Sequence, residues 1–167
     1  MTSKQEELLN SFFAQLDPVF EAPLYQELAA YLSELGYSPK KQRSYLVFKH
    51  ELHGKQMAKM GIKNNKSHMP YFALRFSACK EYSQKLADIV STAVSKPHYP
   101  QAGCIQGDCD YCSGEASSHV YSHGGKYLCG ARQFDIPDIT LEDMMELKQL
   151  IKEEHEYLLR HEAGVII

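Results

Sequence analysis

The chain has 167 residues, of which 44% are hydrophobic and 23% are charged, and its formal net charge is −3. This composition is that of a globular protein rather than a disordered chain, and the length corresponds to about one domain. The charge gives no bulk attraction for nucleic acid or an anionic membrane, no apolar run approaches the ~20 residues of a membrane span, and the polar N-terminus predicts no signal peptide.

Two amphipathic helices are predicted at the start of the chain. Residues 4–16 follow a Ser3–Glu6 capping box and carry apolar side chains at helical spacing. A second helix begins near Pro23, since a missing N–H is tolerated in the first turn, and it ends at Gly36.

The apolar pattern changes from helical to strand-like after these helices. Residues 45–48, 56–62 and 71–76 are rich in aromatic and apolar side chains, and they predict a three-stranded antiparallel meander. A third helix is predicted over 79–95, because two prolines follow it.

The last part of the chain combines a loop, a hairpin and a helix. Residues 101–117 are rich in Gly, Cys and Asp and predict a loop. A Gly-Gly pair at 124–125 predicts a tight hairpin between residues 119–123 and 126–129, with the second strand extending toward Ile136. The final helix, 141–162, is predicted to begin after a Thr140 cap completed by Asp143. Its apolar stripe at helical spacing is predicted to consist of Met144, Leu147, Ile151 and Leu158.

Four of the five cysteines lie close together in the sequence, at Cys104, Cys109, Cys112 and Cys129. The C-x2-C pair can occupy two adjacent corners of a metal tetrahedron, and zinc favours four such ligands. The predicted hairpin returns the last cysteine toward the loop, and His119 or His123 could replace one cysteine. The segment 104–129 is therefore expected to bind zinc.

Other cysteine chemistry fits this spacing less well. C-x4-C-x2-C with a distant fourth cysteine is a plant-type [2Fe–2S] pattern, but here two helices and a meander precede it. A thioredoxin-like couple needs its first cysteine at a helix start, whereas a loop is predicted around Cys109. Free thiols or oxidised pairs are the remaining alternative. Cys79 lies apart and is expected to be a buried, inert thiol.

The middle of the chain is basic, with eleven basic and two acidic residues over 40–85. The bases alternate with apolar residues as solvent-facing strand positions do, and both ends of the chain are acidic, so nucleic acid is not the expected partner. Four tyrosines could line a pocket for a planar ligand, although packing is their usual role: Tyr71, Tyr111, Tyr121 and Tyr127. Three histidines are expected to be solvent-exposed: His50, His53 and His68.

One stretch also resembles known sequences. Cys109–Cys112, the hairpin residues His119–Tyr121 and the run Asp135–Asp143 make residues 104–162 similar to the C-terminal part of an uncharacterised family of small bacterial proteins, a domain of unknown function. The resemblance covers about a third of the chain. It implies no activity and no catalytic residue.

These observations predict one α+β domain over residues 1–167, with two N-terminal helices, an antiparallel sheet, two further helices, and a cysteine-rich loop and hairpin. The expected function is that of a cytoplasmic zinc-binding domain with a structural metal, which binds a small molecule or a protein and does not enter membranes. The alternatives are a zinc enzyme with an open metal position, a nucleic-acid binder through residues 40–85, and a [2Fe–2S] protein. Whether the chain is an enzyme stays open.

Overall fold

The computed structural model describes residues 1–63, 68–96, 122–123, 126–127 and 133–163. For residues 122–123, 126–127 and 161–163 it describes the backbone alone. The first half contains helices α1 (Ser3–Phe13) and α2 (Ala22–Glu34) and strands β1 (Tyr37–Gln42), β2 (Tyr45–His50), β3 (Gln56–Ile62) and β4 (Pro70–Leu74). The second half contains helix α3 (Gln84–Val94), strands β5 (Ser122–His123), β6 (Lys126–Tyr127) and β7 (Phe134–Ile136), and helix α4 (Met144–Ala163).

The described strands form a five-stranded sheet in the order β1-β2-β3-β4-β7 and a separate hairpin of β5 and β6. Every pairing in the sheet is antiparallel, so the predicted α+β class is confirmed. β4 pairs directly with β7. In the sequence, α3 and residues 97–132, called the cysteine-bearing segment here, lie between these two strands.

Strand β1 was not predicted, because it contains a proline and two lysines. Pro39 cannot donate to a ladder, yet β1 pairs with β2 along its whole length. An edge strand tolerates proline, since one side of the strand needs no donors. The meander over 45–76 is confirmed, but it forms the centre of a wider sheet.

The helix boundaries agree with prediction to within three residues at every end except the start of α3. α1 begins one residue earlier than expected: the Thr2 backbone N–H donates to Gln5 Oε1 at 2.9 Å and Thr2 Oγ1 accepts from the Gln5 N–H at 3.3 Å. Gly36 has φ +88°, as a helix stop requires. Thr140 and Asp143 form the predicted capping box, although one 3₁₀ turn (Leu141–Asp143) precedes α4.

Helix α3 starts at Gln84, not at residue 79. The reason lies in the preceding segment, where the Ala78 N–H donates to the Glu154 carboxylate and the Cys79 N–H donates to the Phe76 carbonyl. These contacts hold 76–79 in a turn that is tied to α4, so residues 78 and 79 are not part of the helix.

One hydrophobic core joins all four helices to one face of the sheet. Alternation places Phe48, Met60 and Phe72 on this inner face, and each is fully buried. From α4, Leu147 and Ile151 pack into the same core. The predicted apolar stripe of the last helix is therefore confirmed.

The opposite face of the sheet, called the outer face here, carries the other half of each strand. One row across the strands reads Lys40, Val47, Lys59, Ala73 and Asp135, and the next row contains Tyr45, Gly61 and Tyr71. Val47 and Ala73 are buried without belonging to the main core. The predicted alternation of basic and apolar side chains is thus present on this face.

The hairpin prediction is confirmed where the structure describes it. Ser122 pairs with Tyr127 and His123 pairs with Lys126, so the chain reverses direction between His123 and Lys126. The predicted extension of the second strand is wrong: residues 134–136 form β7, which pairs with β4 in the main sheet. Within the described residues, no helix combines the length and the apolar character that crossing a bilayer requires.

Candidate functional site

The predicted metal ligands lie almost entirely outside the described residues. This applies to the four clustered cysteines and one histidine: Cys104, Cys109, Cys112, Cys129 and His119. The backbone of His123 lies in β5, but its side chain is outside the description. Within the described ranges themselves, no group of three His, Cys, Asp or Glu side chains is arranged to hold a metal ion.

The ends of the cysteine-bearing segment are anchored close together. Lys96, just after α3, and Gln133, just before β7, line the same cavity of about 610 Å³. The Gln56 side-chain amide of β3 also donates to Gln133 Oε1 at 2.9 Å. The residues that flank the segment 97–132 on either side, Lys96 and Gln133, therefore lie beside the same cavity.

A second cavity of about 610 Å³ lies at one end of the outer face. We call it the tyrosine–lysine groove, and its principal lining residues are Tyr45, Lys59, Lys63, Tyr71 and Asp135. Lys63 and Asp135 also line the cavity at the ends of the cysteine-bearing segment, so the two cavities adjoin.

Gly61 explains how the two tyrosines come together in this groove. It pairs with Tyr45 on one side and Tyr71 on the other. A Cβ atom on residue 61 would lie 2.8 Å from the Tyr71 hydroxyl and 2.9 Å from the Tyr45 Cβ. Glycine therefore lets the Tyr71 ring lie across the β3 backbone. A glycine inside a strand often marks such a close approach.

Ammonium groups accompany both rings in the groove. Lys59 Nζ lies 5.4 Å from the centre of the Tyr45 ring, and Lys63 Nζ lies 5.8 Å from the centre of the Tyr71 ring. Asp135 is the acidic lining residue, 3.8 Å from Lys63 Nζ. Burial, followed by the nearby Asp135 charge, raises the Tyr71 pKa, so its hydroxyl stays protonated near neutral pH.

A histidine cluster (Tyr37, His50, His53 and His155) lies where the sheet meets α4. The His50 and His53 rings stack with centres 4.0 Å apart and planes 8° from parallel. The Tyr37 hydroxyl is 3.1 Å from His155 Nδ1. His50 Nδ1 accepts from the Leu52 N–H, and His53 Nδ1 accepts from the Lys55 N–H.

This cluster corrects the expectation that His50 is exposed: the structure buries it. The sequence contained a usable signal, since alternation along β2 places His50 on the same face as Leu46 and Phe48. The sequence offers no signal for His155, because nothing local links it to residues more than a hundred positions earlier.

The histidine cluster should make stability depend on pH. Burial, and then the neighbouring His50, hold the His155 pKa below its ordinary value of 6.5. The unfolded chain therefore takes up this proton first as the pH falls. The stabilisation is complete above about pH 6.5 and is lost progressively below it. Urea unfolding at a series of pH values from 7.5 to 5 should show this decline.

The variant His155→Gln tests the source of that pH dependence, because glutamine can keep a hydrogen bond to Tyr37 without titrating. We expect a shallower decline of unfolding free energy between pH 7 and 5 than in the parent chain. His68→Gln is the matched control, since His68 is exposed and precedes β4. An unchanged slope for His155→Gln would contradict the assignment.

A buried carboxylate, that of Glu154, lies on the residue before His155 in the same helix. Glu154 has no exposed surface, and its Oε1 accepts from Arg75 Nε at 2.7 Å and from the Ser77 hydroxyl at 3.0 Å. Its Oε2 accepts from the Ala78 N–H at 2.7 Å. Both oxygens are thus satisfied, and neither described cavity is lined by Glu154 or Arg75. The pair fixes α4 against the end of β4.

Cys79 lies beside this ion pair. It is buried as predicted, and its thiol lies 3.5 Å from the Leu150 carbonyl oxygen. Burial, reinforced by the Glu154 charge, raises the Cys79 pKa. A protonated thiol is a poor nucleophile and a poor metal ligand, which supports the expectation that this cysteine is inert.

Comparison with known proteins adds no assignment: no protein-family model, no curated protein and no solved structure matches the chain. The resemblance of residues 104–162 to an uncharacterised bacterial family therefore stays a prediction.

Proposed function

We propose that the chain is a cytoplasmic zinc-binding protein in which Cys104, Cys109, Cys112 and Cys129 hold one structural metal ion. The proposed role is to bind a small molecule or another protein. The observation that supports this proposal is the anchoring of the cysteine-bearing segment between Lys96 and Gln133, which line one cavity.

This anchoring matters because the segment 97–132 is short. Units of fewer than about 40 residues rarely bury enough apolar surface to fold alone, and they generally need disulfides, a metal or contacts with a larger body. All four clustered cysteines fall within this one segment. In the cytoplasm thiols remain reduced, so a metal is the favoured cross-link.

The hairpin of β5 and β6 supports the proposed ligand set. It reverses the chain between Cys112 and Cys129, and a closed site requires such a reversal. β5 also contacts α3, the helix that precedes the segment. A site closed by four protein ligands is structural, whereas three would leave a position for water or substrate.

We expect protein prepared anaerobically and without a metal-binding tag to contain about one zinc per chain. The double variant Cys109→Ser, Cys112→Ser should lose this zinc, because serine does not supply the thiolate that the metal requires. Elemental analysis of the purified chains measures both values.

The matched control is Cys79→Ala, which removes the buried cysteine outside the segment and should keep one zinc. Single variants of Cys104, Cys129, His119 and His123 then distinguish a four-cysteine site from one completed by histidine. Metal-free protein in which all four clustered thiols titrate freely would contradict the proposal. A brown protein containing iron would favour the [2Fe–2S] alternative.

A further inference from the structure

The tyrosine–lysine groove has a chemistry that the proposed metal site does not explain. We propose that it binds a nucleoside monophosphate, with the base against the rings of Tyr45 and Tyr71 and the phosphate against the ammonium groups of Lys59 and Lys63. The proposed site does not use the metal ligands. Tyr45 lies on β2, Lys59 on β3 and Tyr71 on β4, and Lys63 directly follows β3.

The dimensions of the groove suit a ligand of this size. Its volume of about 610 Å³ lies within the 300–1,000 Å³ of ordinary small-molecule sites. Gly61 pairs with both tyrosines, and any side chain at this position would collide with the Tyr71 ring. Both tyrosines are half-buried rather than sealed in the core, and both line the cavity.

The charges of the groove favour an anion. Among the described side chains, Lys59 has no carboxylate within 4.0 Å, although it borders the groove. Lys63 is paired with Asp135 at 3.8 Å, and this pair is exposed, so solvent screens it and a phosphate can compete for the lysine.

The combination of rings and ammonium groups selects the class of ligand. A simple inorganic anion would gain nothing from two tyrosine rings, and a neutral planar molecule would gain nothing from two lysines. Bases stack on aromatic side chains largely irrespective of sequence, and lysine is a common partner of phosphate. A phosphorylated nucleoside uses both features at once.

Calorimetric titration with adenosine 5′-monophosphate at low ionic strength tests the proposal. We expect saturable binding at one site per chain, with adenosine about tenfold weaker or worse because it lacks the phosphate. Lys59→Met and Lys63→Met should each weaken nucleotide binding about tenfold, and Tyr71→Leu should weaken it at least about fivefold through lost stacking.

Lys40→Met is the matched control, since it removes a lysine from the same face outside the groove, and it should change affinity less than about threefold. Urea unfolding of each variant identifies any loss of folding, and the lysine variants should unfold as the parent does. Absence of nucleotide binding, or binding unaffected by Lys59→Met and Lys63→Met, would overturn the proposal.

Two further titrations test the class of ligand. Inorganic phosphate that binds as tightly as the nucleotide would overturn the role of the tyrosines. An oligothymidylate of eight nucleotides that binds more tightly than the mononucleotide, with a log–log salt slope of several phosphates, would overturn the choice of a mononucleotide in favour of a nucleic-acid strand.

Discussion

Glu154→Ala is expected to lower the free energy of unfolding by about 3–5 kcal/mol. The substitution removes the carboxylate that accepts from Arg75, Ser77 and Ala78, and Arg75 is itself buried. The loss arises mainly from the uncompensated guanidinium charge, because a buried cation without its partner keeps the full desolvation penalty. Urea unfolding monitored by far-UV circular dichroism measures the change.

The neighbouring acid Glu156 provides the control. It lies on the same helix and is exposed, so Glu156→Ala should change stability by no more than about 0.5 kcal/mol. The double variant Arg75→Leu, Glu154→Leu should recover much of the loss, since no isolated charge remains. If Glu154→Ala costs less than about 1 kcal/mol, the ion pair does not contribute in the way its burial implies.

Ile151→Ala is expected to cost about 2–5 kcal/mol. Ile151 is fully buried in the core between α4 and the inner face of the sheet, so its truncation removes apolar contacts and leaves a cavity. Met145→Ala is the control on the same helix: Met145 is 84% exposed and should contribute less than about 0.5 kcal/mol. Equal effects at the two positions would contradict the assignment of the inner stripe.

Local patterns predicted most of the fold. The α4 stripe, the Thr140–Asp143 capping box and the Gly36 stop all depend on neighbours within one or two turns, and all are confirmed. β1 was not predicted because a strand tolerates proline mainly at the edge of a sheet, and local sequence does not show which strand lies at the edge. β7 was assigned to the wrong partner, since pairing with β4 brings together residues about sixty positions apart.

The sites were less predictable than the elements. The tyrosine–lysine groove depends on the register of three strands, because that register brings Tyr45, Gly61 and Tyr71 into one row. Of these three residues, only Tyr71 was predicted from the sequence to line a ligand pocket. The Arg75–Glu154 pair joins distant residues and has no spacing pattern. The metal ligands, in contrast, could be predicted from the sequence, because cysteine spacing is itself a local signal.

The two edges of the five-stranded sheet are poor templates for fibril growth. An exposed edge normally offers a row of free N–H and C=O groups to another chain. On β1, Pro39 removes one donor, and the exposed Lys40 and Lys41 would face like charges on an identical copy. β7 spans only three residues and exposes Asp135 at its centre. The proline and lysines that made β1 hard to predict therefore also disfavour pairing of this sheet edge with another chain.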